Sequence, residues 1–258
     1  DAIPCAEMAR FGKNGADVTS AGVRIARSVT GRDHIAFCGY HGWHDWYIAN
    51  TDLNSGIPEF NRHLAHSFVY NDLDSLETIF KQFSEQVAIV IMEPLTILEP
   101  ENDFLAEVKK MAHDNGALLM FDEIITGFRF SFGGAQELTG VTPDLTSLGK
   151  AISNAVPLSA IVGKKEFMSV LDKTFFSFTY GGDCIGLAAA KACIQKLKRV
   201  KVPEHLWKVG QLLKDGINSL TAQYGLSEFL QCIGYPCRSI ISFNGRGIFE
   251  ELEIKSFF

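Results

Sequence analysis

A chain of 258 residues is long enough to bury the core of one large α/β domain, or of one domain with part of another. Its 47% hydrophobic and 21% charged residues suit a globular enzyme, and no run approaches the roughly 18 apolar residues of a membrane span. The net charge of -6 is spread along the chain, which excludes a broad attraction to nucleic-acid phosphates and leaves small molecules as the expected partners. Small and apolar residues recur at helical spacing from Val18 to Arg27, and Asp17 with Thr19 lies where that helix begins, so the spacing predicts a loop-to-helix junction at Lys13–Thr19 with Gly15 as its flexible point. His34–Gly39 and Val87–Met92 read as buried strands, Leu73–Phe83 and Phe104–Asp114 as helices, and Ala117–Phe121 as a further apolar strand.

Leu145–Leu148 and Leu158–Val162 add two short strands, followed by a long helix over Cys184–Val200. Pro203 interrupts that pattern, Glu204–Tyr224 resumes it, and a Gly-rich turn then precedes a strand at Ser239–Phe243. Helices alternating with continuous apolar strands imply a mostly parallel sheet covered on both faces, a doubly wound α/β domain. The change of pattern near residue 200 divides the chain into residues 1–199 and the start of a second domain, 200–258. The chain opens at Asp1 without Met, and Phe249–Phe258 stops in amphipathic sequence, so it reads as a fragment cut at both ends. Six cysteines without metal-ligand spacing read as thiols of a reducing cytoplasm.

Asp122 closes its strand with Glu123 beside it, at the end of the sheet where a doubly wound fold binds ligands. Period-two geometry turns Asp122 and Ile124 to one side and Glu123 to the other. Twenty-eight residues later comes Ser147-Leu-Gly-Lys150, a lysine directly after a short strand and a glycine. A lysine at a crevice can attack a carbonyl carbon, although alone it reads as an ordinary solvated lysine. His41 and His44 invite a metal reading, yet no cysteine at zinc spacing and no His-Glu-x-x-His accompanies them, so no metal is expected.

Phe121-Asp-Glu-Ile-Ile-Thr-Gly-Phe-Arg129 followed by Ser147-Leu-Gly-Lys150 resembles the signature of the class III aminotransferases, and the branch containing glutamate-1-semialdehyde aminomutase in particular. The likeness runs from about Pro4 to Phe243. It implies the large domain of pyridoxal-phosphate fold type I with the beginning of a smaller α+β C-terminal domain, and pyridoxal 5'-phosphate as cofactor. Lys150 is then the Schiff-base lysine, and Asp122 pairs with the pyridine nitrogen, keeping it protonated so that the ring accepts the electrons of a broken Cα–H bond. Gly39-Tyr-His-Gly-Trp43 matches the family's aromatic element: Tyr40 stacks on one face of the ring, Ile124 covers the other, and His41 is a loop residue near the cofactor.

Lys13-Asn-Gly-Ala-Asp17 looks like the phosphate turn, where Gly15 and Ala16 offer backbone N–H groups at a helix start; Ala16 departs from the commoner hydroxyl-bearing residue. Phe178-Thr-Tyr-Gly-Gly-Asp183 resembles the stretch whose threonine reaches the neighbouring subunit's cofactor, which implies Thr179 in that role and a homodimer. Glu93-Pro94 matches the family's Glu-Pro pair, but Leu95–Pro100 replaces a glycine-containing loop, and Glu93 and Arg129 are carried as substrate candidates, although an arginine at a helix start is more often a structural ion-pair partner. Intermolecular amino transfer from a small-molecule donor to an acceptor is the leading function. Aminomutase-type transfer on one carbon skeleton, and a non-catalytic homologue serving in assembly, stay open.

Overall fold

The structure, a computed structural model, describes residues 2–243. Phe249–Phe258, read above as a cut element, lies outside them. Nine strands, β1 Met8–Gly12, β2 His34–Cys38, β3 Ala65–Ser67, β4 Val87–Met92, β5 Leu118–Asp122, β6 Leu145–Leu148, β7 Ser159–Gly163, β8 Leu230–Tyr235 and β9 Arg238–Phe243, alternate with helices among the described residues. The helices are α1 Gly15–Thr30, α2 Asp45–Ile48, α3 Leu73–Gln82, α4 Phe104–Asp114, α5 Gly134–Thr139, α6 Lys165–Met168, α7 Cys184–Arg199 and α8 Val202–Gln223.

Seven strands form one sheet in the order β1-β7-β6-β5-β4-β2-β3. The run from β6 to β3 is parallel, while β7 and β1 join antiparallel at one edge. The mostly parallel, helix-covered α/β sheet expected from the sequence is therefore present, with an additional edge strand, β1, that the sequence pattern does not announce. Met8-Ala-Arg-Phe-Gly12 carries too few β-branched residues to read as a strand, and its backbone pairing with β7 is what holds it.

Period-two geometry sorts the strands between two faces. Ile89, Ile91, Leu118 and Met120 pack with Val18, Ala21 and Ile25 of α1, whereas Val90, Met92, Leu119 and Phe121 pack with α3 and α4 through Leu76, Ile79, Phe104 and Val108. Burial of each such side chain stabilises by roughly 1.5–3 kcal/mol. Helix α1 lies close on the sheet because Gly22 faces Met120: a Cβ there would sit 2.2 Å from Met120 Sδ. Continuing the alternation past Phe121 sends Asp122 to the α1 side and Glu123 to the other.

Three local expectations change. Pro203 lies in the first turn of α8, where its missing N–H costs no hydrogen bond, and the break before it falls at Val200 and Lys201, the latter at φ 50°. A turn with Gly225 at φ 67° follows α8, but an unexpected strand, β8, then pairs with β9 in a two-stranded sheet, with Gly234 inside it at φ 83°. Arg129 is in an irregular turn after β5, not at a helix start. Its guanidinium donates to the Cys237 carbonyl at 2.9 Å, so it ties that turn to the β8–β9 hairpin.

Candidate functional site

A cavity of about 510 Å³ opens at the C-terminal ends of β2, β4, β5 and β6, where a parallel sheet with helices on both faces leaves a crevice. Gly15, Ala16, Tyr40, His41, Glu93, Asp122, Ile124 and Lys150 all line it. The long loops between them in sequence are closed by the sheet: Asp122 stands opposite Ser147 in the β5–β6 register, three residues before Lys150.

Lys150 follows β6 through Gly149. A Cβ at Gly149 would lie 2.9 Å from Ile124 Cδ1, so the glycine lets the Lys150 backbone pass close to the cavity wall. Lys150 itself sits in the left-handed region at φ 43°, a conformation costing on the order of 1–2 kcal/mol for a residue with a Cβ. The turn is held by bonds from Ile152 N–H to the Gly149 carbonyl at 3.0 Å and from Asn154 N–H to the Lys150 carbonyl at 3.0 Å. Partial burial lowers the Lys150 ammonium below the ordinary lysine range. Asp122 and Glu93 oppose that shift, and the positive charges of Arg238 and Arg129 reinforce it.

Asp122 is 4% exposed and fully engaged. Its Oδ1 accepts from Ser147 Oγ–H at 2.8 Å and from Ile124 N–H at 3.2 Å, and its Oδ2 is 2.8 Å from His41 Nδ1. His41, read from the sequence as a loop residue, is buried under Phe37, Trp46 and Tyr47. The loop carrying it is fastened to α1: Thr19 Oγ1–H donates to the His41 carbonyl at 2.8 Å, and a Cβ on Gly42, at φ 104°, would lie 2.7 Å from Ala16 Cβ. The aromatic element and the Lys13–Ala16 turn therefore share one wall of the cavity.

At the start of α1, Asn14 is the N-cap and Asp17 accepts from the N–H groups of Asn14 at 2.8 Å and Lys13 at 3.1 Å. Ala16, buried at 6%, brings no hydroxyl. Lys13 Nζ pairs with Asp183, the N-cap of α7, and donates to the Pro157 carbonyl at 3.0 Å. Thr179 is exposed on the turn before that cap and lies outside the cavity wall.

Glu93 closes β4 as a buried carboxylate, its Oε2 2.9 Å from Arg238 Nη2 and its Oε1 accepting from Tyr40 N–H at 3.2 Å. Arg238 also donates to the Leu95 carbonyl at 2.6 Å. Sequence reading misses Arg238, Ser147 and Thr19. The first is 145 residues from its partner, and the other two are short polar side chains whose value depends on strand register and helix docking. Burial of a serine two residues before a crevice glycine is a signal only once the register is known.

An open site with an amine nucleophile at its mouth, a buried carboxylate at its floor and backbone donors at a helix start fits a phosphorylated heteroaromatic aldehyde. The class-III aminotransferase family profile matches residues 2–234, and the chain belongs to that family. Among curated proteins it is 37% identical over 259 residues to the 3-aminobutyryl-CoA aminotransferase of Cloacimonas acidaminovorans (strain Evry), a match covering 97% of this chain and 61% of that one. Two solved structures share the fold: an omega-transaminase from Sphaerobacter thermophilus and the FumI protein of Sphingopyxis sp. MTA144 in its PLP internal aldimine form. The first has a TM-score of 0.85 at 26% identity, covering 96% of this chain and 62% of its own, and the second 0.88 at 27%, covering 94% and 59%. The chain thus spans about three fifths of the length of these relatives.

Proposed function

We propose that this chain forms the cofactor-holding part of a pyridoxal-phosphate-dependent aminotransferase that moves an amino group between small molecules. The observation that carries the reading is the convergence of Lys150, Asp122 and the Gly15 turn on one cavity although they are far apart in sequence. Bound pyridoxal phosphate supplies an electron sink for the pair left when a substrate Cα–H bond breaks. Lys150 Nζ would hold the cofactor's aldehyde carbon, and its free amine would take up that proton as base and return it as acid. Asp122 would pair with the pyridine nitrogen and keep it protonated. Gly15 and Ala16 receive the phosphate on backbone N–H groups, while Tyr40 and Ile124 fix the ring plane.

Thr179, exposed and away from its own chain's cavity, is available to a second copy, which supports a homodimer sharing its sites. Glu93 and Arg238 stand as an ion pair at the substrate side, with Arg129 behind them. A cytoplasmic setting completes the reading. The test is a screen of amine donors with and without a keto or aldehyde acceptor, following product by mass spectrometry. Acceptor-dependent amino transfer is expected. Isomerisation of one compound without acceptor would make the protein an aminomutase, and no turnover by a cofactor-loaded protein would leave an assembly role.

A further inference from the structure

The phosphate end of the cavity needs more positive charge than the start of α1 provides. A phosphate monoester carries about -1.5 to -2 at neutral pH. Asp17, in the first turn of α1, already sets a carboxylate against that helix end, where it accepts from the N–H groups of Asn14 at 2.8 Å and Lys13 at 3.1 Å. Ala16 adds no hydroxyl, so Gly15 and Ala16 would meet the phosphate with backbone N–H groups alone. Two lysines line the cavity, Lys13 and Lys150, and Lys13 is the one at this turn, two residues before Gly15.

Lys13 Nζ sits between the cavity and the start of α7. It donates at 3.0 Å to the carbonyl of Pro157, a residue of the cavity wall, and pairs with Asp183, which lies outside that wall. These contacts use two of the three ammonium protons, and no other acceptor among the described residues engages the third. Gly186 keeps the space around the pair open, since a Cβ there would lie 3.3 Å from Lys13 Nζ and 3.0 Å from Asp183 Oδ2. Asp183 does not depend on the lysine for its place. Its Oδ1 accepts from Gly186 N–H at 2.8 Å and caps α7, and its side chain is 26% exposed, so water can replace the ammonium at Oδ2. We propose that Lys13 is the counter-ion of the cofactor's phosphate and that Asp183 competes for the same ammonium, setting how tightly the phosphate is held. Asp183 is then a brake on cofactor affinity rather than a support for it. The inference rests on the function proposed above.

Asp183→Asn keeps a side-chain oxygen for the α7 cap and removes the competing charge, while Lys13→Gln removes the ammonium. Each is compared with the unaltered protein by equilibrium dialysis against pyridoxal phosphate and against pyridoxal, which lacks the phosphate. Asp183→Asn should tighten pyridoxal phosphate about threefold to tenfold and Lys13→Gln should weaken it about tenfold, the scale of one hydrogen bond to a charged group, with little change for pyridoxal in either. If the ion pair merely fastened the turn, Asp183→Asn would weaken both compounds. That result, an unchanged affinity for pyridoxal phosphate, or equal changes for the two compounds would overturn the proposal, and Asp183→Asn decides alone if Lys13→Gln does not fold. Should the unaltered protein take up neither compound, the functional reading falls, and inorganic phosphate followed by 31P line broadening decides the competition by itself. Tighter phosphate binding in Asp183→Asn and weaker binding in Lys13→Gln are expected there, and identical titrations of the three proteins would overturn it.

Discussion

Arg238→Met removes the cation from the buried ion pair with Glu93 while keeping most of the side chain's apolar volume. The structure sets the scale of the effect. Arg238 and Glu93 side chains are 13% and 5% exposed, so the exchange leaves a carboxylate with little water and, among the described residues, Tyr40 N–H at 3.2 Å as its remaining hydrogen-bond donor. The Leu95 carbonyl loses its donor as well. Removing one partner of a buried pair costs about 3–5 kcal/mol, and the adjoining open cavity points to the lower end, about 3 kcal/mol. That corresponds to a melting temperature lower by roughly 6–12 °C in a chain of this size. Glu93→Leu in the Arg238→Met background should recover about 2 kcal/mol of the combined loss, because the orphaned carboxylate goes with it. Urea titrations of the four proteins measure both quantities. An Arg238→Met protein within 0.5 kcal/mol of the parent, or strictly additive exchanges, would show that the pair is not the buried unit described.

Ser147→Ala deletes the hydroxyl donor to Asp122 Oδ1 and should weaken pyridoxal-phosphate binding about tenfold in a spectrophotometric titration; unchanged affinity would separate Ser147 from the carboxylate's function. The rate at which Lys150 captures the cofactor should rise with pH through a midpoint below the ordinary lysine range, since burial lowers the ammonium, and the midpoint should move up in Arg129→Gln as a neighbouring positive charge is lost. A midpoint at the ordinary lysine value would contradict the site's electrostatics. At the far end of the sheet, His34 Nδ1 and His66 Nε2 are 2.9 Å apart and both rings lie against Phe83. Burial, with His34 and His63 nearby, pushes His66 down to about 4, so the unfolded chain takes the proton first, at about 6.5. Stability is then complete above about pH 6.5 and falls as the pH drops towards 4, and His66→Gln should flatten that slope in acid-dependent urea melts.

The sheet was legible because its central strands are buried on both faces and read as unbroken apolar runs; Val87–Met92 is buried at every position. The Met8–Gly12 strand was not, since an edge strand is specified by its partner's backbone. That Lys150, Asp122, Tyr40, Ile124 and Gly15 line one cavity was legible through the motifs around them. His41 shows the limit. From the sequence it is one of two histidines in an aromatic loop, and only the fold reveals that Thr19 pins its backbone and that its ring bridges Cys38 and Asp122. Arg238 escaped for a related reason, because nothing local in Pro236-Cys237-Arg238 announces a partner on β4.

Under the proposed function Lys150, among all the lysines of the chain, forms the covalent link to pyridoxal phosphate. Incubation with the cofactor, reduction by borohydride and peptide mass mapping test it directly. A reduced phosphopyridoxyl adduct is expected on the peptide containing Lys150, with none at Lys13 or Lys164 and none on the Lys150→Ala protein. An adduct of equal yield on another lysine, or its persistence in Lys150→Ala, would contradict it.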